Sequence, residues 1–141
     1  MKRLMNDGIC TQMNREDVDR ISVLGLAHVG DAVFELLVRA RLCAEGHKAI
    51  QDLHRMSVHF VRASAQARAA DVLLPILTEE ESAVFRRGRN AKVHGVPQNA
   101  STAEYHAATG LEALFGWLYL LGFTERIAEL FETLWRNDDA A

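Results

Sequence analysis

The sequence predicts an all-α protein, a single-domain helical bundle. Three observations carry that prediction. Apolar residues recur at three- and four-residue spacing through several long segments, the period of a helix with one buried face. Two capping boxes, Thr78-Glu79-Glu80-Glu81 and Ser101-Thr102-Ala103-Glu104, mark helix starts by pairing a hydroxyl with a glutamate three residues on. No segment alternates polar and apolar residues as a strand does, and the connections between helical segments are short. At 141 residues the chain can bury about two-thirds of the surface that its unfolded form exposes. The expected division is a tail over 1–14, a folded domain over 15–137 and a short tail over 138–141.

Met1 to about Asn14 is polar, carries Gly8 and is expected to be poorly ordered. Asn14 or Ser22 is placed to cap a helix that runs to about Glu45 and stops at Gly46. Its inward stripe is read as Leu26, Val29, Val33, Leu36, Leu37 and Ala40. A second helical region spans about Ile50 to Leu74, with Leu53, Met56, Phe60, Ala63, Ala67 and Ala70 on its apolar face. Pro75 ends or kinks it, and a break near Ser57 is also open. Thr78 opens a helix that ends near Arg89 to Lys92, with acids at its start and cations at its end, as the helix dipole favours. Val93 to Ala100, with Gly95, Pro97 and Asn99, reads as a loop. Ser101 opens a long helix to about Leu121 with Gly122 past its end, and Thr124 caps a last helix carrying Ile127, Leu130, Phe131, Leu134 and Trp135.

Composition narrows the function classes. No uncharged apolar run reaches the length of a membrane span, and the first thirty residues lack a signal-peptide pattern. Cys10 and Cys43 have no metal-ligand spacing and suit a reducing cytoplasm. The net charge of −3 argues against bulk attraction to nucleic acid, but its distribution matters more. Residues 36–100 hold ten Lys/Arg against six Asp/Glu, while residues 1–35 and 101–141 are both acidic. A basic middle of this kind can engage a polyanion on one face.

The chemistry-bearing residues stand out by their surroundings. Asp31, in Gly30-Asp31-Ala32-Val33-Phe34-Glu35, sits in an apolar helix with no cation within a turn. Such a carboxylate needs a partner such as a metal ion, unless it lies partly exposed at a helix edge. Glu112, in Thr109-Gly-Leu-Glu-Ala-Leu-Phe-Gly116, repeats the pattern, with Thr109, Glu112 and Gly116 on one face. Glycine in mid-helix costs about 1 kcal/mol relative to alanine and makes sense where another backbone crosses closely. The two helices are therefore expected to cross at their glycines and bring Asp31 and Glu112 together. Two carboxylates that meet imply a divalent cation, and hard oxygen ligands suit Mg2+ or Mn2+ rather than zinc. Glu35, one turn on, either supports the site or pairs with Arg39 at i+4. Arg86-Arg87-Gly88-Arg89-Asn90-Ala91-Lys92 offers forks and amides to phosphate oxygens, or is a solvated helix end. A weaker candidate stripe runs through Arg55, His59 and Arg62.

Three of these stretches, Leu26 to Glu35, Arg87 to Lys92 and Thr109 to Gly116, resemble the ribonuclease III family and its short Mini-III branch. Asp52-Leu53-His54 and the Val61-to-Ala67 segment are similar to that branch as well, and the resemblance covers about Val23 to Leu134. It implies an endonuclease domain of ribonuclease III type over 15–137, a homodimer that cuts double-stranded RNA with Mg2+, for which Mn2+ can substitute. Asp31 matches the aspartate of the family's signature helix, and Glu112 the glutamate of its last metal-binding helix. Larger members carry glutamate where this chain has Ala27 and aspartate where it has Thr109, and a further helix glutamate aligns with Ser64. Fewer carboxylates remain, which leaves one ion or two ions per site open. His28 stands where an aromatic residue usually forms the dimer contact. The double-stranded-RNA-binding domain of longer relatives is not expected, so affinity should come from the dimer surface, with Arg87, Arg89, Asn90 and Lys92 first and Arg55 and Arg62 behind them.

The expected activity is thus metal-dependent hydrolysis of duplex RNA in the cytoplasm, with Asp31 and Glu112 as catalytic metal ligands. By resemblance the substrate is a helical segment of precursor 23S ribosomal RNA, with ribosomal protein assistance open. The rival is a catalytically silent helical dimer that binds structured RNA or ribosomal components. Apolar residues off the inward stripe, such as Leu24 and Phe34, point to a partner helix in either case.

Overall fold

The computed structural model describes residues 4–5, 10–46, 49–92 and 101–140. Seven α-helices lie among them: α1 (Arg15–Asp19), α2 (Val23–Ala44), α3 (Ile50–Val61), α4 (Ala63–Leu73), α5 (Glu79–Arg89), α6 (Thr102–Leu120) and α7 (Thr124–Ala140), with a 3₁₀ turn at Leu74–Ile76. A two-residue antiparallel pairing, β1 (Leu4–Met5) with β2 (Cys10–Thr11), is too short to leave a pattern in the sequence. The expected Val93–Ala100 loop lies outside the described residues, as do residues 1–3 and 6–9 of the N-terminal tail. Met13 donates its N–H to the Leu120 carbonyl at 2.8 Å, which joins the start of the chain to the end of α6.

Local chemistry sets the helix ends. Asn14 and Ser22 both cap, the first accepting from the Asp17 N–H and the second from the Gly25 N–H, so α1 and α2 are separate helices. Both capping boxes form, with each hydroxyl and each glutamate reaching across the first turn. At the end of α6, Gly122 takes φ +82°. The Phe123 N–H then reaches the Leu118 carbonyl and the Gly122 N–H the Tyr119 carbonyl, the paired bonds of a glycine stop. Thr124 is the first residue of α7 rather than its cap, because Phe123 supplies the carbonyl that accepts the Ile127 N–H.

Helix α6 occupies the centre, packed against α2, α4, α5 and α7. It is apolar on nearly every side, and Leu111, Ala113, Leu114, Phe115 and Leu118 are almost completely buried. The inward face of α2 is Leu26, Ala27, Gly30, Phe34, Val38 and Leu42. That corrects the predicted stripe: Val29, Val33 and Leu37 are half-buried, and Leu36 is 66% exposed. Phe34 belongs to the core, edge-on to Phe115 at 5.4 Å and to Phe131 at 6.0 Å, so it is not a contact for a partner. Helix α2 is apolar on two faces, and periodicity alone selected the wrong one.

The second helical region breaks at Arg62, whose backbone is extended at φ −65° and ψ 156°, not at Ser57. Neither glycine nor proline marks that joint. Arg62 therefore does not continue the helical face of Arg55 and His59, and the predicted stripe of three is dissolved. Glu81, besides closing its capping box, is buried against Arg126, which bonds both carboxylate oxygens at 2.8 and 2.9 Å and the Ile76 carbonyl at 2.8 Å. Burial opposes the charge on Glu81, but the Arg126 guanidinium and the Thr78 N–H outweigh it and hold the carboxyl below its ordinary range.

Candidate active site

The α2–α6 crossing is built by reciprocal glycines. A Cβ on Gly30 would lie 1.6 Å from the Glu112 carbonyl oxygen, and one on Gly116 would lie 1.9 Å from the Leu26 carbonyl oxygen. No side chain fits in either place, so the two backbones touch as predicted. A second pair, Gly88 and Gly110, seats the end of α5 on α6, where a Cβ on Gly88 would come 2.8 Å from the Gly110 Cα. Two close crossings on adjacent faces of α6 thus pin the helix that carries Glu112.

Asp31 follows Gly30 and stands beside Glu112. The aspartate is exposed, the helix-edge alternative left open from the sequence, and Glu112 is the half-buried member. Burial, and next the negative charge of Asp31, push the Glu112 carboxyl up to about 8, while hydrogen bonding from Gln66 acts in the opposite direction. Burial and the neighbouring charge thus favour the protonated form of Glu112 near neutral pH. No third His, Cys, Asp or Glu joins them in a metal-sized cluster among the described residues. Glu35 pairs with Arg39 at 2.5 Å, the alternative open to it from the sequence. Thr109 is buried and donates its hydroxyl to the Tyr105 carbonyl at 3.0 Å, within its own helix.

The expected cations divide. Arg87, Arg89, Asn90 and Lys92 are exposed where α5 ends, over the Thr109–Ala113 turn of α6 that also carries Glu112. The Arg89 guanidinium lies over the Phe85 ring at 5.8 Å, and its Nε–H donates to Asn90 at 3.4 Å. Arg62 is exposed at the α3–α4 joint, four residues before Gln66. Arg55 instead pairs with Asp52 at 2.9 Å. His28 is exposed at an apolar groove of about 540 Å³, lined further by Val33, Leu36, Leu37, Tyr119 and Ile127.

Sequence reasoning missed Gln66, which is only 2% exposed and faces Glu112 from α4. Its signal was an isolated amide within Ala63-Ser-Ala-Gln-Ala-Arg-Ala-Ala70, at core spacing from Ala63 and Ala70.

The model of the ribonuclease III domain matches residues 24–122, and the chain belongs to the ribonuclease III family of endoribonucleases. Its relatives narrow the assignment to the Mini-III branch. The Mini-ribonuclease 3 of Symbiobacterium thermophilum is 51% identical over 109 residues, covering 77% of this chain and 84% of that one. The Mini-ribonuclease 3 of Enterococcus faecalis is 43% identical over 116 residues, covering 81% and 88%. The crystal structure of a protein from Fusobacterium nucleatum shares the fold, with a TM-score of 0.78 and 30% identity over 86% of this chain and 98% of that one.

Proposed function

We propose that this endoribonuclease hydrolyses phosphodiesters in double-stranded RNA, with Asp31 and Glu112 holding Mg2+ or, in its place, Mn2+. The carboxylate pair at the α2–α6 crossing carries the reading, because a half-buried glutamate raised to about 8 beside an aspartate is a site that a cation relieves. The donor set fits: two carboxylates suit an ion that keeps several waters and takes its remaining ligands from a phosphate. Such an ion supplies Lewis acidity, activation of water and neutralisation of the charge that builds on the phosphate. The chain's own part is to hold the ion and the backbone in register. Arg87, Arg89, Asn90, Lys92 and Arg62 grip phosphates, and A-form RNA, whose major groove is too narrow for side chains, is recognised by shape and by its 2′-hydroxyls. Arg55, tied to Asp52, is the weakest of these phosphate ligands.

The natural substrate proposed is a helical segment of precursor 23S ribosomal RNA in the cytoplasm, cut with the assistance of a ribosomal protein. Among the described residues no helix is long and apolar enough to cross a membrane. Incubation of the purified protein with that segment or another RNA duplex should give products in Mg2+ and none in chelator. Binding without cleavage in Mg2+ supports the silent dimer instead.

Assembly is proposed from the groove beside His28. Leu36 at 66% exposure and the half-buried Val33 and Leu37 form an apolar face that a two-fold partner would cover. Light scattering at micromolar concentration should return twice the chain mass for the wild type and the single mass for Leu36→Asp. A monomeric wild type refutes the dimer.

A separate result is expected for the basic end of α5. Arg89→Ala or Lys92→Ala should weaken duplex binding and reduce the slope of log affinity against log salt by about 1 for each phosphate that is no longer neutralised. Melting should stay nearly unchanged, because exposed charges contribute little. An unaltered slope makes this turn a solvated helix end.

A further inference from the structure

A cavity that neither Asp31 nor Glu112 lines lies between α4 and the end of α7, beside the last turn of α3. It holds about 160 Å³. An apolar cavity of roughly 150 Å³ accepts one benzene ring. Phe60, Phe131 and Trp135 form an aromatic wall. These rings are fixed in place: Phe60 stacks on Trp135 at 4.6 Å, Phe131 tilts against Trp135 at 5.7 Å, and the Trp135 indole N–H donates to Glu45 at 2.9 Å. From α4 the wall is Ala65, Ala69 and Val72, at i, i+4 and i+7, so small side chains leave the space open.

The mouth is polar. Arg68, His59, Asn137 and Asp138 stand exposed around it. His59 and Asp138 are 3.8 Å apart, while Arg68 has no acidic partner among the described residues. An aromatic wall takes a flat ring, and a free guanidinium takes an anion, phosphate above all. In an endoribonuclease the ligand class that joins the two is a nucleotide, and the volume admits one ring rather than two.

We infer that this cavity binds a pyrimidine nucleotide, with the base against Phe60, Phe131 and Trp135 and the phosphate on Arg68. The His59–Asp138 pair and the Asn137 amide meet the polar edge of the base. The nucleotide is either free or an unpaired residue of RNA, since the recognised chemistry is the same. The inference is independent of the reading of Asp31 and Glu112 as metal ligands.

The test is a titration of the full chain with uridine 5′-monophosphate, followed on the indole N–H resonances of its two tryptophans. Trp135 should move and saturate, while Trp117, which lies beside Arg15 and Phe123, should not. Ala69→Leu fills the space and should abolish the shift. Arg68→Ala should raise the Kd for the nucleotide about tenfold, the loss of one charge-assisted hydrogen bond. It should leave the Kd for uridine, which has no phosphate, within about twofold. An RNA duplex with one bulged uridine should move Trp135 where the fully paired duplex does not; a shift with the free nucleotide alone supports the cavity and assigns it to free nucleotides. No saturation below about 10 mM overturns the proposal. So does an equal shift from inorganic phosphate, an equal Kd for adenosine 5′-monophosphate, or an undiminished shift in Ala69→Leu. If Ala69→Leu does not fold, a wild-type nucleotide Kd in Arg68→Ala does the same.

Discussion

Glu112→Gln and Asp31→Asn are expected to lose cleavage of duplex RNA by about 10³-fold or more, the equivalent of about 4 kcal/mol of transition-state stabilisation. Both should nevertheless melt at or above the wild type in chelator. The reason is the pair itself. Without a cation the folded protein keeps a proton on Glu112 up to about pH 8, whereas the unfolded chain releases it near 4.5. Between those values the native state binds more protons than the unfolded state, so stability falls as pH rises and levels off above about 8. The full span corresponds to roughly 5 kcal/mol as an upper bound. Glu112→Gln removes that slope altogether. Asp31→Asn removes the charge contribution and leaves the contribution of burial, so its slope should survive but end at lower pH. Added Mg2+ should raise the melting temperature of the wild type and do much less for either variant, since a ligand of the folded state stabilises by mass action. Melting curves from pH 4 to 9, with chelator and with Mg2+, read all of this. If both variants melt well below the wild type in chelator and still cut RNA, Asp31 and Glu112 are structural and the active site lies elsewhere.

The second large effect is on folding. Gly30→Ala puts a methyl group where the Glu112 carbonyl oxygen lies 1.6 Å away, and Gly116→Ala does the same against Leu26 at 1.9 Å. The obstacle is backbone on both sides, which cannot rotate out of the way, so α2 and α6 must separate. Alanine's better helix propensity returns about 1 kcal/mol. Overpacking of a core crossing takes about 3 kcal/mol and more where nothing can yield. A net loss of at least about 2 kcal/mol should lower the melting temperature by roughly 5–10 °C in a chain of this size. Activity should fall further than stability, because the same displacement moves Glu112 away from Asp31. A melting temperature within a degree of the wild type for either variant contradicts the crossing.

Both effects trace back to residues that stand out in the bare sequence, and the reason is locality. Capping boxes at Thr78 and Ser101 and the glycine stop at Gly122 are interactions within a few residues, so residue type and spacing suffice to read them. The all-α class follows from the same local periodicity. The meeting of Asp31 and Glu112 was readable because glycine in mid-helix and a carboxylate without a cation are both unfavourable alone, which leaves a close crossing as the common explanation. Other features had no local signal. The Arg62 break has no proline or glycine, and it is stabilised by Gln66 reaching back to Val61. Glu81 meets Arg126 from 45 residues away. The burial of Phe34 rather than Leu36 depends on α2 being apolar on two faces. Periodicity shows that a helix has an apolar face, but when it has two, only the shape of what packs against it selects the one that becomes core. Here that choice falls to Gly116, Phe115 and Phe131: the first admits the α2 backbone, the other two enclose Phe34, and Leu36 is left outside.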